Sequence, residues 1–139
     1  MKLLTTEQVL FIHDRLIEET GGEHGLRDHN LLESAVNRPR AGYGNVEFYP
    51  TLHDKAAVLM ESLIRNHPFV DGNQRTGFAA AGTILALNGW DLIAGHDKAY
   101  RFNLRVAVDH PDAPRPSWEE ISSWLMEQSR QRRDVPPHG

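Results

Sequence analysis

Apolar residues recur at helical spacing through most of the chain, interrupted at regular intervals by glycine, proline and small polar residues. Val9, Leu10, Ile12, His13, Leu16 and Ile17 predict a helix from Thr6 to about Glu19, stopped by Gly21-Gly22. Asp28 is placed to cap a short helix carrying Leu31, Leu32, Ala35 and Val36, which Pro39 closes. Thr51 opens a longer amphipathic helix with Leu52, Ala56, Leu59, Met60, Leu63 and Ile64 on one face. That helix must end near Asn66 or His67, because Pro68 disfavours helical backbone at the preceding residue. A further apolar helix follows Gly72 through Phe78, Ala81, Ile84, Leu85 and Leu87 until Asn88-Gly89, and its small residues 79–82 predict close packing at the domain centre. Asp97 starts another helix to about Val108. Ser117 with Glu119 and Glu120 caps the last, whose Trp118, Ile121, Trp124 and Leu125 face the core.

Residues 40–48 break this rhythm, with two glycines and a short alternation at Val46 and Phe48. They predict a loop or small β-hairpin flap. The pattern as a whole predicts an all-α fold of about six helices with one flap, forming a single domain over residues 1–133. The tail over 134–139 is expected to be disordered.

Composition narrows the chemistry. The 139 residues suit one domain, and the absence of cysteine excludes disulfides, thiolate metal sites and a cysteine nucleophile. The formal charge of −4 argues against a general nucleic-acid binder. The basic run at Arg130, Arg132 and Arg133 reads as a solvated helix end. Met1-Lys2-Leu3-Leu4 resembles the start of a signal peptide, but Thr5, Thr6, Glu7 and Gln8 interrupt it at once. No stretch is long and apolar enough to span a bilayer, so a cytoplasmic protein with no membrane partner is expected.

Between the two most buried-looking helices lies His67-Pro68-Phe69-Val70-Asp71-Gly72-Asn73-Gln74-Arg75-Thr76, far more polar than a simple connection requires. The N–H groups of Gly72, Asn73, Gln74 and Arg75 would open the first turn of the new helix and form an anion hole, reinforced by the helix dipole. Arg75 can fork onto phosphate oxygens, and Asn73 can hold either a phosphate or the loop itself. Asp71 can take Mg²⁺, which commonly binds through one carboxylate and phosphate oxygens. His67 can accept a proton from an attacking hydroxyl. Taken singly, each residue has an ordinary reading as helix end, turn or surface charge. Their coincidence around one helix N-terminus is what points to a nucleotide-phosphate site.

This segment resembles the signature of the Fic/Doc (Fido) superfamily, whose usual core reads HPFx[D/E]GNGRxxR. Here Gln74 replaces the glycine before Arg75, and Phe78 stands where the final arginine would fall. Both departures resemble the death-on-curing (Doc) branch. Gly25-Leu26-Arg27-Asp28, Leu31-Leu32-Glu33-Ser34-Ala35, Arg38-Pro39, Tyr49-Pro50-Thr51-Leu52 and Leu87-Asn88-Gly89-Trp90 extend the likeness to about Trp124.

The resemblance implies a helical Fido fold and a transferase acting on protein hydroxyls. It implies His67 as general base, Asp71 as the Mg²⁺ ligand, and phosphate contacts from Asn73 and Arg75 beside Gly72 and Gln74. The flap would hold the target segment in extended form. A Doc-type member would move the γ-phosphoryl group of ATP onto a translation factor such as elongation factor Tu, and a small antitoxin would neutralise it. A side chain at Gln74 narrows the anion hole that glycine leaves open, which favours kinase-type transfer; AMP transfer is the second reading. An inactive nucleotide-binding module is a third, since Gln74 brings no charge and Phe78 removes an arginine. Ser123 and Glu127 have the spacing of the family's inhibitory helix, but Gln128 departs from it, and they read as a polar helix face. A metal phosphohydrolase, suggested by His53-Asp54, would need further ligands such as His13, His29 or Asp109, which form no pattern; His53 is expected on the solvent side of its helix.

Overall fold

A computed structural model describes residues 1–133; the expected disorder of 134–139 lies outside the described residues. Six α-helices are present among the described residues: α1 (Thr6–Thr20), α2 (His29–Asn37), α3 (Leu52–Asn66), α4 (Asn73–Leu87), α5 (His96–Ala107) and α6 (Trp118–Glu127). Two antiparallel ribbons accompany them, β1 (Gly42–Tyr43) with β2 (Val46–Glu47), and β3 (Trp90–Leu92) with β4 (Ser129–Gln131). The all-α expectation therefore holds, with the flap at its anticipated place.

Local chemistry sets the helix ends. The Thr5 hydroxyl accepts from the Gln8 amide while the Gln8 side chain accepts from the Thr5 amide, so α1 starts at Thr6 as the pattern implied, with Thr5 as its cap. Ser117 and Glu120 cap α6 with the same reciprocal pair, while Asp28 and Thr51 cap α2 and α3 by accepting from the amides of Leu31 and Asp54. The start of α5 falls at His96 rather than Asp97, with Gly95 at the cap.

The core is built on α3, whose residues from Lys55 to Ile64 are all buried. Against it packs α4, and the approach is close enough to exclude a methyl group at Gly77. A Cβ there would lie 2.8 Å from Ile64 Cγ1 and 3.1 Å from the Met60 carbonyl oxygen. Leu59, Met60, Leu63, Ile84, Leu85, Ile121 and Leu125 fill the remaining interior.

The hairpin flap turns at Gly44-Asn45 and carries exposed Tyr43, Val46 and Phe48. Its base is held by the buried Lys55 ammonium, which donates to the carbonyls of Pro39 (3.1 Å) and Tyr49 (2.6 Å) and to the Glu47 carboxylate (3.0 Å). Three oxygens thus satisfy all three ammonium protons of a buried charge.

The β3–β4 ribbon was not legible in the sequence, and it overturns two expectations. The Arg130–Arg133 run is not a helix end: Arg130 lies in β4, and Arg132 leaves it to donate to Asp91 Oδ1 and the Ala86 carbonyl, both at 2.6 Å. Nor does His53 face solvent, being only 3% exposed. Trp90 packs edge-on to its ring at 4.8 Å, and Ser129 Oγ lies 2.9 Å from Nε2. Both residues come from the ribbon, which covers the first turn of α3.

Candidate active site

The loop between α3 and α4 begins with a constrained residue. His67 closes α3 at φ 50, ψ 58, the only non-glycine residue with positive φ among those described. A left-handed backbone costs a side-chain-bearing residue roughly 1–2 kcal/mol, so neighbouring contacts must hold it. Arg27 does so, donating through Nε to the His67 carbonyl (2.6 Å) and through Nη2 to the Asn66 carbonyl (2.8 Å). The imidazole itself is exposed, with no hydrogen-bond partner among the described residues.

Phe69, next but one, is buried and stacked on the imidazole of His13, with ring centroids 3.8 Å apart and planes within 5°. His13 Nε2 also lies 2.8 Å from the Asp71 carbonyl oxygen. The ring therefore meets the loop at two points, one apolar and one polar. Asn73 completes the inner side: its Oδ1 accepts from the Phe69 amide and its Nδ2 donates to the Phe69 carbonyl. Of the two roles the sequence allowed for the Asn73 side chain, the loop is the one it fills here.

Asp71 precedes Gly72, which takes φ +77 at the start of α4. The Gly72 amide is not free but donates to Asp71 Oδ1 (2.8 Å), because the carboxylate folds back over the turn. The amides of Asn73, Gln74 and Arg75 have no hydrogen-bond partner among the described residues, and the first intrahelical bond runs from Thr76 N–H to the Gly72 carbonyl. Three open donors remain at the positive end of the α4 dipole. The other Asp71 oxygen accepts from the Glu23 amide at 3.1 Å. That bond, then the one from Gly72, holds the carboxyl below the usual range, with the Arg75 charge assisting. Each oxygen keeps a lone pair, so an ionised Asp71 fits a cation that also takes phosphate and water oxygens. No cluster of three or more His, Asp or Glu side chains suited to a metal exists among the described residues.

Arg75 reaches back to the end of α1, donating to the Thr20 hydroxyl and to the Gly21 carbonyl (3.1 Å). Asp71 and Arg75 converge on Gly22. A Cβ built there would lie 2.6 Å from Asp71 Oδ2 and 3.2 Å from Arg75 Nη2. The half-buried Gln74 makes no side-chain hydrogen bond among the described residues. Phe78 packs against Trp124, which in turn stacks on Phe102 at 4.0 Å, so this position serves the core. Ser123 and Glu127 border a shallow cleft of about 330 Å³ with Phe102 and Arg105. Glu127 has no ion pair to Arg75 among the described residues.

Thus Asp71, Gly72 and Arg75 are gathered on one side of the loop, while no hydrogen bond ties His67 to them. The sequence reading missed the strip that aligns them all. Gly25 accepts from the Val70 amide (3.0 Å), Leu26 pairs with Phe69 across an isolated bridge, and the amides of Arg27 and Asp28 both donate to the Pro68 carbonyl. Residues 20–28 so run along the whole motif, from Arg75 at one end to His67 at the other. The available signals were a histidine on the buried stripe of α1 and the glycines at 21, 22 and 25.

The Fic/DOC family model matches residues 3–85. A protein named Toxin Doc from Mycolicibacterium smegmatis is 54% identical over 77 residues, which cover 55% of this chain and 59% of that relative. A protein named Protein kinase doc from Escherichia phage P1 is 29% identical over 89 residues, covering 64% of this chain and 70% of the relative. The first alignment thus spans about three fifths of its relative's length. With the family model covering more than half its residues, and the signature loop arranged at the head of a central helix, this chain belongs to the Fic/DOC family.

Proposed function

We propose that this chain is the toxin of a toxin–antitoxin pair and transfers the γ-phosphoryl group of Mg·ATP to a serine or threonine hydroxyl of a cytoplasmic translation factor. The observation that carries this reading is the head of α4: three open amides, at Asn73, Gln74 and Arg75, beside an ionised Asp71 and an exposed His67. Such amides donate to phosphate oxygens without reorganisation, which is the condition for electrostatic catalysis of phosphoryl transfer. Asp71 would hold the magnesium ion, which neutralises charge on the phosphates when bound. His67 would take the proton from the target hydroxyl, whose oxygen would bond to the γ-phosphorus as the bond to the bridging oxygen breaks and ADP leaves. The Arg75 guanidinium would bind a phosphate, exchanging its hydrogen bonds to Thr20 and Gly21 for charged ones.

Kinase-type transfer is favoured over AMP transfer by the side chain at Gln74, which narrows the space before Arg75. The name of the phage relative, Protein kinase doc, agrees with that preference. A small antitoxin as partner rests on the likeness to the mycobacterial Toxin Doc. An inactive nucleotide-binding module draws its support from Phe78, which is committed to Trp124 and contributes no charge.

Intact-mass analysis of elongation factor Tu, after incubation with the protein, ATP and Mg²⁺, tests the proposal. A gain of one phosphate, lost with His67→Ala, is expected. A gain of AMP reverses the choice of transferred group. Mg·ATP binding with no change in target mass supports the inactive module.

A further inference from the structure

We infer that Arg27 is the positioning residue of His67, supplying through its side chain the helix cap that the backbone of α3 lacks. This rests on the reading of His67 as the proton acceptor. A helix ending in a left-handed residue usually closes on itself, the N–H groups just past its end returning to carbonyls one turn earlier. Here Pro68 has no N–H, and the His67 amide makes no such bond among the described residues. The carbonyls of Asn66 and His67 turn outward instead. Arg27, thirty-nine and forty residues away in sequence, takes both with one guanidinium.

The geometry suits arginine in particular. Its planar fork engages two adjacent carbonyls at once, whereas an ammonium group is a point donor with no fixed plane. The positive charge also sits at the negative end of the α3 dipole. Arg27 is tethered in turn, since its own amide donates to the Pro68 carbonyl at 2.7 Å. Backbone and side chain of one residue therefore fix three consecutive carbonyls, at Asn66, His67 and Pro68. With the His67 carbonyl held and φ locked at 50, the direction of its Cα–Cβ bond is set relative to α4. No hydrogen bond among the described residues holds the exposed imidazole, so its aim depends on that backbone. Asp71 and Arg75 are instead tied to residues 20–23, at the other end of the strip. Loss of the Arg27 side chain should therefore disturb His67 and spare the phosphate and magnesium groups.

The test compares wild type, Arg27→Ala and Arg27→Lys for transfer kinetics and for backbone and imidazole NMR resonances. Arg27→Ala should lower kcat on the order of 10- to 100-fold, as a displaced reacting group does, with KM for Mg·ATP within twofold of wild type. Arg27→Lys should fall between. Added guanidinium ion, at concentrations too low to denature, should restore part of the lost kcat in Arg27→Ala and none in His67→Ala. The His67 resonances should move in Arg27→Ala while those of Asp71, Asn73 and Arg75 stay. Unchanged kcat, an equal rise in KM, or unmoved His67 resonances would each overturn the inference. If wild type transfers no group at all, the functional reading fails, and the resonances still decide whether Arg27 sets His67. If Arg27→Ala does not fold, Arg27→Lys carries the same comparison.

Discussion

Asn73 and Phe69 hold each other through two reciprocal hydrogen bonds, Phe69 N–H to Asn73 Oδ1 and Asn73 Nδ2 to the Phe69 carbonyl, both 3.0 Å long. The side chain that opens α4 thus fastens the loop that precedes it. Phe69 is pinned on its other side by the His13 ring, so the loop has one defined course from α3 to α4.

Asn73→Ala should therefore cost stability even without nucleotide. It strands a buried N–H and a buried carbonyl, for a loss of about 2–4 kcal/mol, read from urea denaturation of the free protein. A side chain serving only phosphate would leave that midpoint unchanged.

Gly22→Ala should impair catalysis more than folding. The new methyl falls 2.6 Å from Asp71 Oδ2, at a φ of +115 that side chains rarely adopt. Asp71 and Arg75 must then move together. Calorimetry should show weakened Mg·ATP binding and assays a lower transfer rate, with thermal unfolding shifted by only a few degrees. Binding equal to wild type would show that the two side chains do not depend on this close approach.

Gly77→Ala tests the opposite case, a glycine needed for packing alone. The added carbon meets Ile64 Cγ1 at 2.8 Å and the Met60 carbonyl at 3.1 Å, and backbone cannot yield as a flexible side chain can. Overpacking of this kind costs about 1–3 kcal/mol. Any protein that still folds should retain its affinity for Mg·ATP.

His53 should make stability fall on the acid side. Burial pushes its pKa below the ordinary value, with Asp54 opposing weakly, so the folded chain prefers the neutral ring. The unfolded chain takes up that proton as pH drops past about 6.5. Stability from this group is thus fully present above that value and declines as pH falls towards the folded pKa. Urea midpoints between pH 7.5 and 5 should show a slope that His53→Gln reduces. An identical slope in the variant would remove His53 as the source.

What the amino-acid sequence determined by itself was whatever depends on neighbours a few residues apart. Thr51, Asp28 and Ser117 cap their helices through amides three positions on, so residue type and spacing sufficed to find them. The same holds for the head of α4, where Pro68 ends one helix, Gly72 starts the next, and the amides between Asn73 and Arg75 are left open by helix geometry. The flap was legible from its two glycines and the short alternation at Val46 and Phe48.

Only the tertiary structure decided which polar groups meet across long separations. Arg132 finds Asp91 and Ser129 finds His53 because three-residue strands pair there, too short to leave a periodic signal. Arg27 finds His67 and Glu23 finds Asp71 because residues 20–28 fold back along the motif, and His13 meets Phe69 because α1 packs beside it. An exposed glycine-rich loop carries no hydrophobic pattern that would announce such a path. The residue types gathered in the candidate site are local and can be read from the chain; their alignment depends on hydrogen bonds between distant residues, and those exist only once the chain has folded.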